Sequence, residues 1–239
     1  MDFLLFLLGA CLASFCHVIG YRLPIQQSFL RGRSHCEKCR EILQPLELIP
    51  LVSYIVLRGR CRYCNAQITP LAPVIELLAG CSFVVLYHMH SFTIVFFFGV
   101  WFTLLFVTIS VSDIYYQLIP NHILLFFGIG IIFLSFAEPQ LMLMRLVGSI
   151  GSFTFLLLFA WFSRGGIGGG DVKLYVLIGA VLGLPLAFIS LFLSTLIGLV
   201  WFGLRRTPQK QAIPFAPSIA LASMLTYFYG DIFLNWYYL

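Results

Sequence analysis

Long apolar runs organise this chain. The first covers Met1–Tyr21, broken only by Asp2, and stops at Arg22-Leu23-Pro24. A polar, charge-bearing stretch follows from Arg22 to about Thr69. Apolar segments then cover Pro70–Tyr87, Phe92–Val111, Leu118–Phe136, Leu141–Phe162, Val172–Leu184, Leu186–Leu204 and Ile213–Tyr229. A helix rises about 1.5 Å per residue, so roughly 20 residues cross about 30 Å of hydrocarbon. Most segments are near that length, and the two flanking Leu184–Pro185 are shorter. The pattern predicts an all-α polytopic membrane protein with eight transmembrane helices and a loop domain between the first two. The first run lacks a basic n-region and an Ala-x-Ala-like cleavage site, so it reads as a retained span. No internal repeat or low-complexity segment is visible.

Composition narrows the class further. Of 239 residues, 61% are apolar and 10% charged, against roughly 45–50% and about 25% in soluble domains. No soluble core of this size hides so much apolar side chain, so a bilayer is the solvent for most of it. Disordered, collagen-like, coiled-coil and disulfide-scaffold classes are excluded by the same figures. With eight spans, one side of the membrane holds thirteen of the 14 Lys and Arg residues: eight in the 22–69 stretch, Arg164 and Lys173 beside a glycine run, and Arg205, Arg206 and Lys210 after the seventh span. Only Arg145 falls on the other. The positive-inside rule makes the basic side the cytoplasm and points Met1 outward. Seven spans would place the Arg205–Lys210 loop outside.

The basic loop carries two thiol pairs, Cys36-x-x-Cys39 and Cys61-x-x-Cys64. Each pair offers two thiolates from a tight turn, and four complete the closed sulfur shell of structural zinc. Two disulfides or four idle thiols are the other uses of such cysteines. A reducing cytoplasm disfavours disulfides, and the flanking Arg and Lys residues favour thiolates. Cys11, Cys16 and Cys81 lie in apolar runs and read as buried fillers.

Two carboxylates carry the catalytic expectation. Asp113 ends the third span in Ser112-Asp113-Ile114-Tyr115-Tyr116-Gln117-Leu118-Ile119-Pro120-Asn121, and Asp171 opens the sixth after Gly165-Gly166-Ile167-Gly168-Gly169-Gly170. The topology puts both at the cytoplasmic membrane boundary, where an ionisable group marks a functional site by default. Two acids brought together cannot both ionise easily, so one keeps a proton while the other activates water. Gly166, Gly168 and Gly170 can take extended or positive-φ conformations and let a second backbone approach, so that an extended substrate pairs there by strand addition. The competing reading is a flexible loop followed by Asp171 as an acidic helix cap.

These residues resemble the type IV prepilin peptidases, membrane aspartic proteases of the GxGD type. The glycine run with Asp171-x-Lys173 is similar to the family's second catalytic motif, and Asp113 with Leu118-Ile119-Pro120-Asn121 to its first. Ala13-Ser14-Phe15, Tyr21-Arg22-Leu23-Pro24, the Cys pairs, Ile49-Pro50, Ser53-Tyr54, Arg58-Gly59-Arg60-Cys61, Pro73-Val74-Ile75-Glu76-Leu77 and Ile213-Pro214-Phe215-Ala216-Pro217 extend the likeness in order along the chain. The short length and Arg60-Cys61-Arg62-Tyr63-Cys64 are most similar to competence-pilin peptidases of Gram-positive bacteria. The resemblance implies Asp113 and Asp171 as the catalytic pair, and Cys36, Cys39, Cys61 and Cys64 as zinc ligands. It divides the chain into a first helix at 1–21, a four-cysteine zinc-binding domain at 22–69 and a membrane peptidase domain at 70–239. It implies cleavage of the basic leader of prepilins or pseudopilins at the cytoplasmic face of the bacterial plasma membrane. The setting would be a competence pseudopilus, a type IV pilus or type II secretion. Many members then methylate the new N-terminal amine with S-adenosylmethionine. His17 stands where the family usually has Asn, and Gly20 where a bulkier apolar residue is common, in the region linked to methyl transfer.

The remaining polar residues have plainer expectations. Glu76, inside the second span, holds a basic group of the same protein, helps bind substrate, or forms a buried structural pair. Lys173 tunes Asp171 or snorkels to the interface. His88 and His90 share an outer interfacial loop, too few to close a metal shell. The implied partners are pilin precursors and membrane lipid, with no nucleic acid. A proton-coupled transporter using Asp113, Asp171 and Glu76 as a relay is the rival function, although it calls for paired interrupted spans and an internal repeat. A zinc-bearing membrane adaptor would leave the acids unexplained.

Overall fold

A computed structural model describes residues 1–29, 33–163, 166–205 and 214–237. Arg31, Arg164, Gly165, Arg206, Lys210 and Ile213, which enter the charge and motif readings, lie outside them. Each predicted apolar segment becomes a long helix: α1 (Asp2–Arg22), α3 (Leu71–His90), α4 (Ile94–Tyr116), α5 (Asn121–Ser135), α6 (Met142–Phe162), α7 (Gly169–Leu182), α8 (Leu184–Arg205) and α9 (Ala216–Tyr237). A five-residue helix, α2 (Val52–Val56), lies in the loop domain. Among the described residues, five stretches, Asp2–Ile25, Leu71–His90, Ile94–Tyr116, Pro139–Phe162 and Leu184–Gly203, are long and apolar enough to cross a bilayer by length and composition. At 15 and 14 residues, α5 and α7 are shorter. The break between α7 and α8 falls at Gly183, whose φ of 76° ends one helix and lets Pro185 enter the first turn of the next.

Successive helices run in opposite directions, which gives the bundle two distinct ends. At one end, Asp2 of α1 meets His88 of α3 at 3.0 Å. Arg145 at the start of α6 is neutralised there by Glu138 at 2.7 Å and covers the Phe98 ring of α4 at 4.0 Å. The single basic residue expected on that face is therefore half-buried and paired. His88 and His90 belong to the last turn of α3 and not to a loop. At the other end, Tyr21 of α1 packs on Tyr115 and Tyr116 of α4, and His17 reaches the Tyr115 ring.

Helix α4 is the central member. Phe102, Leu105, Ile109 and Val111 on it are fully buried, and α1, α3, α5 and α9 pack around it. Small residues set the closest crossings, because apolar attraction between helices is weak in lipid and backbone approach replaces it. A Cβ at Gly148 of α6 would strike the Gly179 carbonyl of α7, and the converse holds for Gly179. A Cβ at Gly20 would likewise meet the Thr108 carbonyl, so the departure from a bulkier residue there seats α1 directly on α4. Of the three apolar-run cysteines only Cys16 is buried. Cys11 and Cys81 lie on the outer surface of the bundle, which lipid covers as readily as protein does.

Candidate active site and metal centre

Helix α4 carries Asp113 beyond the expected end of its span, because the helix continues to Tyr116 and stops at Gln117 in the left-handed region. Asp113 is buried. Its Oδ2 accepts the Ala216 amide at 2.8 Å. That amide is one of the unpaired N–H groups at the start of α9, where a carboxylate is a natural partner. Asp171 is the third residue of α7. Gly168 is the N-cap and no side chain caps this helix, so Asp171 is not acting as a helix cap. The two carboxylates come from different helices and lie within electrostatic reach of each other.

Three contacts link α4 to α7 through the α4–α5 turn and the first residue of α5. Ser112 Oγ donates to the Leu118 carbonyl at 2.5 Å, which folds the turn back on α4. Ile119 then lies against Gly170, where a Cβ would come within 3.0 Å of the Ile119 Cβ. Lys173 Nζ donates to Asn121 Oδ1 at 2.9 Å, which gives Lys173 a specific partner on the neighbouring helix. Among the described residues neither Gly166, Gly168 nor Gly170 has positive φ. Gly168 is extended at φ −63° and ψ 134°, and Gly170 is already helical. Of the two conformations open to these glycines, extended or positive-φ, Gly168 takes the extended one. Close approach also matters here, since a Cβ at Gly168 would lie 3.1 Å from Asp171 Oδ2. A cavity of about 360 Å³, lined by Thr195, Gly198, Leu199, Pro214, Phe215 and Ser218, opens beside the segment that holds Asp113.

Glu76 is placed differently from the acid pair. It is buried on α3, and its Oε2 accepts the Leu51 amide of the loop domain at 2.8 Å, with Ser14 as a second hydrogen-bond partner. No cation pairs with it among the described residues, so the basic partner considered from sequence is replaced by a backbone amide. Leu51 sits at φ 60°, a strained conformation for a leucine that this hydrogen bond holds in place.

The four loop cysteines converge. Their sulfurs all lie within 4.8 Å of one another, with Cys36 and Cys64 at 3.8 Å. A zinc tetrahedron with bonds of about 2.3 Å has sulfur–sulfur edges of about 3.8 Å, so the donor set fits that ion. The two turns are copies of one another. Cys36 N donates to Glu41 O and Cys61 N to Ala66 O, while Arg40 N returns to Cys36 O and Asn65 N to Cys61 O. Arg40 and Asn65 are both left-handed, at 58° and 56°. The Cys39 and Lys38 amides lower the Cys36 thiol to about 6. Cys39 is pushed up to about 12, because the help of the Glu41 amide is outweighed by desolvation and the adjoining sulfurs. Thiols this close cannot all ionise without a cation among them.

The sequence did not single out the Ala216 amide or the Ser112 hydroxyl. A backbone donor leaves no side-chain signature, although Pro217 just inside a helix start signals free N–H groups at that point.

A helical membrane bundle with a buried and a half-buried carboxylate at one end and a four-thiol loop beside them defines a class, and similarity to known proteins gives the family. Residues 7–90 match the Bacterial Peptidase A24 N-terminal domain, and residues 100–203 match the Type IV leader peptidase family. A prepilin leader peptidase/N-methyltransferase of Bacillus subtilis strain 168 is 37% identical, with 98% of this chain and 96% of the relative aligned. Proteins of the same description from Aeromonas salmonicida and Neisseria gonorrhoeae are 29% and 26% identical, aligned over 98% and 96% of this chain and 92% of each relative. No solved structure matches. The chain belongs to the type IV leader peptidase family.

Proposed function

We propose that this chain removes the leader from type IV prepilins or pseudopilins at the cytoplasmic face of the plasma membrane, with Asp113 and Asp171 as the catalytic pair. The observation that carries the proposal is that two carboxylates from separate helices, α4 and α7, lie within electrostatic reach of each other. Family membership favours peptide hydrolysis over the transporter reading, and Glu76 is engaged by Leu51 rather than free for a relay.

The chemistry follows from the hydrogen bonds. Asp113, held by the Ala216 amide, serves as the carboxylate, and Asp171 keeps the proton. Asp113 takes a proton from water as the water oxygen attacks the scissile carbonyl carbon, while Asp171 protonates the carbonyl oxygen. Collapse of the resulting diol breaks the C–N bond. Asp113 gives its proton to the leaving amine, and Asp171 recovers one from the diol. The pilin's apolar helix lies along the apolar groove of Gly198, Leu199 and Phe215, which brings its leader junction to the acids. Cys36, Cys39, Cys61 and Cys64 hold a structural zinc, because four protein ligands leave no open position for water. Methylation of the new amine with S-adenosylmethionine belongs to the same reading through the relatives' description, with competence, pilus or type II secretion pilins as substrates.

The test is incubation of purified protein with a pilin precursor. Asp113→Ala, Asp171→Ala and both Asp→Asn variants should fall to background while membrane expression stays normal, since an amide cannot exchange the proton. Full cleavage by any one of them would exclude the pair.

A further inference from the structure

The loop domain between α1 and α3 has two unlike surfaces. The zinc turns are polar, and Arg33, Lys38, Arg40, Arg60 and Arg62 stand exposed on or beside them. The segment joining the turns, Pro45 to Leu57, is almost wholly apolar, yet its side chains are not buried in the protein. Leu46, Ile55 and Val56 are 72%, 72% and 73% exposed, and Val52 is exposed beside them. Val52, Ile55 and Val56 fall at helical positions i, i+3 and i+4 of α2, so they share one face. The single charged residue of this segment, Glu47, is turned inward with 5% of its side chain exposed, capping its own 3₁₀ turn and facing Arg62 at 3.9 Å. Water-facing loops do not gather their apolar side chains outward and their charge inward.

Its depth in the molecule explains the inversion. The Leu51 amide is bonded to Glu76, five residues inside α3 from Leu71, which is about 7.5 Å along the helix axis. Helix α3 is one of the stretches able to cross a bilayer. The apolar segment is therefore tied at the level of the first turns of a membrane span and not out beyond them. Interfacial helices rest about 5–10 Å into the headgroup boundary. Exposed Arg58 follows the apolar segment directly, with Arg60 and Arg62 next, where phosphate groups lie.

We propose that residues 45–57 form an interfacial foot, with Leu46, Val52, Ile55 and Val56 inserted among acyl chains and Arg58 and Arg60 on anionic lipid headgroups. The occupant is the bilayer surface itself. The foot holds the zinc turns flat against the membrane at the end of the bundle where Asp113 lies.

Photo-crosslinking reads this directly. The full-length protein, carrying p-benzoylphenylalanine at Ile55 or Val56, is reconstituted in phosphatidylethanolamine/phosphatidylglycerol vesicles, irradiated and weighed intact. Phospholipid adducts should form at both positions in yields within about threefold of Phe133, an outward-facing residue of α5. Yields should exceed Lys38 on the first zinc turn by at least tenfold. Replacing Arg58 and Arg60 by Gln should lower the adduct yield at Val56 severalfold in these vesicles and have no effect in phosphatidylcholine. Yields at Ile55 and Val56 equal to that at Lys38 would overturn the proposal. So would adducts to a second copy of the chain, or to an added pilin precursor, in place of lipid. Protease resistance of the loop in each substituted protein distinguishes an unfolded domain from a solvated one.

Discussion

Alanine placed in turn at Gly168, Gly169 and Gly170 should give three different outcomes, although the three glycines are adjacent and chemically identical. At Gly169 a Cβ meets nothing within 4 Å. At Gly170 it would come within 3.0 Å of Ile119 Cβ and 3.3 Å of its Cγ1 and Cδ1. Carbon atoms rest at about 3.5–4.0 Å, so α7 and the α4–α5 turn must give way by a few tenths of an ångström. That turn is bonded to Ser112, next to Asp113, so the separation is delivered to the distance between the acids. A misplacement of about 1 Å costs on the order of 100-fold in rate, so a shift of a few tenths should cost Gly170→Ala roughly 2- to 10-fold in kcat/KM. Gly168→Ala, with its methyl 3.1 Å from Asp171 Oδ2, should lose activity by pressing on the carboxylate itself. Gly169→Ala should cleave a pilin precursor like the parent. Alanine is the better helix former by about 1 kcal/mol, so a loss at Gly170 without loss of thermal stability cannot be ascribed to helix melting. Ile119→Ala clears the Cγ1 and Cδ1 contacts but keeps the nearest one, at Cβ, so it should restore only part of the Gly170→Ala activity. Parent-like cleavage by Gly170→Ala, or equal loss at Gly169, would refute the register argument.

Two further outcomes test the loop domain. Purified, reduced protein should hold about one zinc per chain, and zinc should dissociate under a chelator or as pH falls, because protons compete for the thiolates. Cys→Ser at any of Cys36, Cys39, Cys61 or Cys64 should make residues 33–69 sensitive to limited proteolysis, and full resistance with no metal present would reject the site. Glu76→Ala should loosen the same domain by roughly 1.5–3 kcal/mol, the worth of a hydrogen bond to a charged acceptor, as read by hydrogen exchange at the Leu51 amide. Glu76→Gln keeps an acceptor and should lose less; equal losses would show that the charge itself matters.

The extent to which these features could be read in sequence varies from residue to residue. The four cysteines were legible because a metal knuckle is a local device, built within a few residues by repeated turns, and its pairing needs only a loop to close. Asp113 and Asp171 stood out because charge is costly in an apolar run. The role of the glycines was only partly legible. Their lack of a side chain was visible, but whether it served positive φ or close approach depended on what lay opposite, and that was Ile119 from another part of the chain. Glu76 was ambiguous for the same reason, since its partner is a backbone amide and every residue but proline has one.

The sequence by itself determined the solvent, the helical class, the position of each long helix and the paired four-cysteine turns. All of these follow from transfer free energies and short-range geometry, which act on residues near one another along the chain. Only the tertiary structure decided that Ala216 holds Asp113, that the α4–α5 turn packs against the start of α7, and that the apolar segment of the loop faces outward at the level of α3. These depend on which helices cross and how closely. Crossings here are set by small residues meeting backbone, as at Gly148 with Gly179 and Gly20 with Thr108, and the contact belongs to the pair and not to either residue.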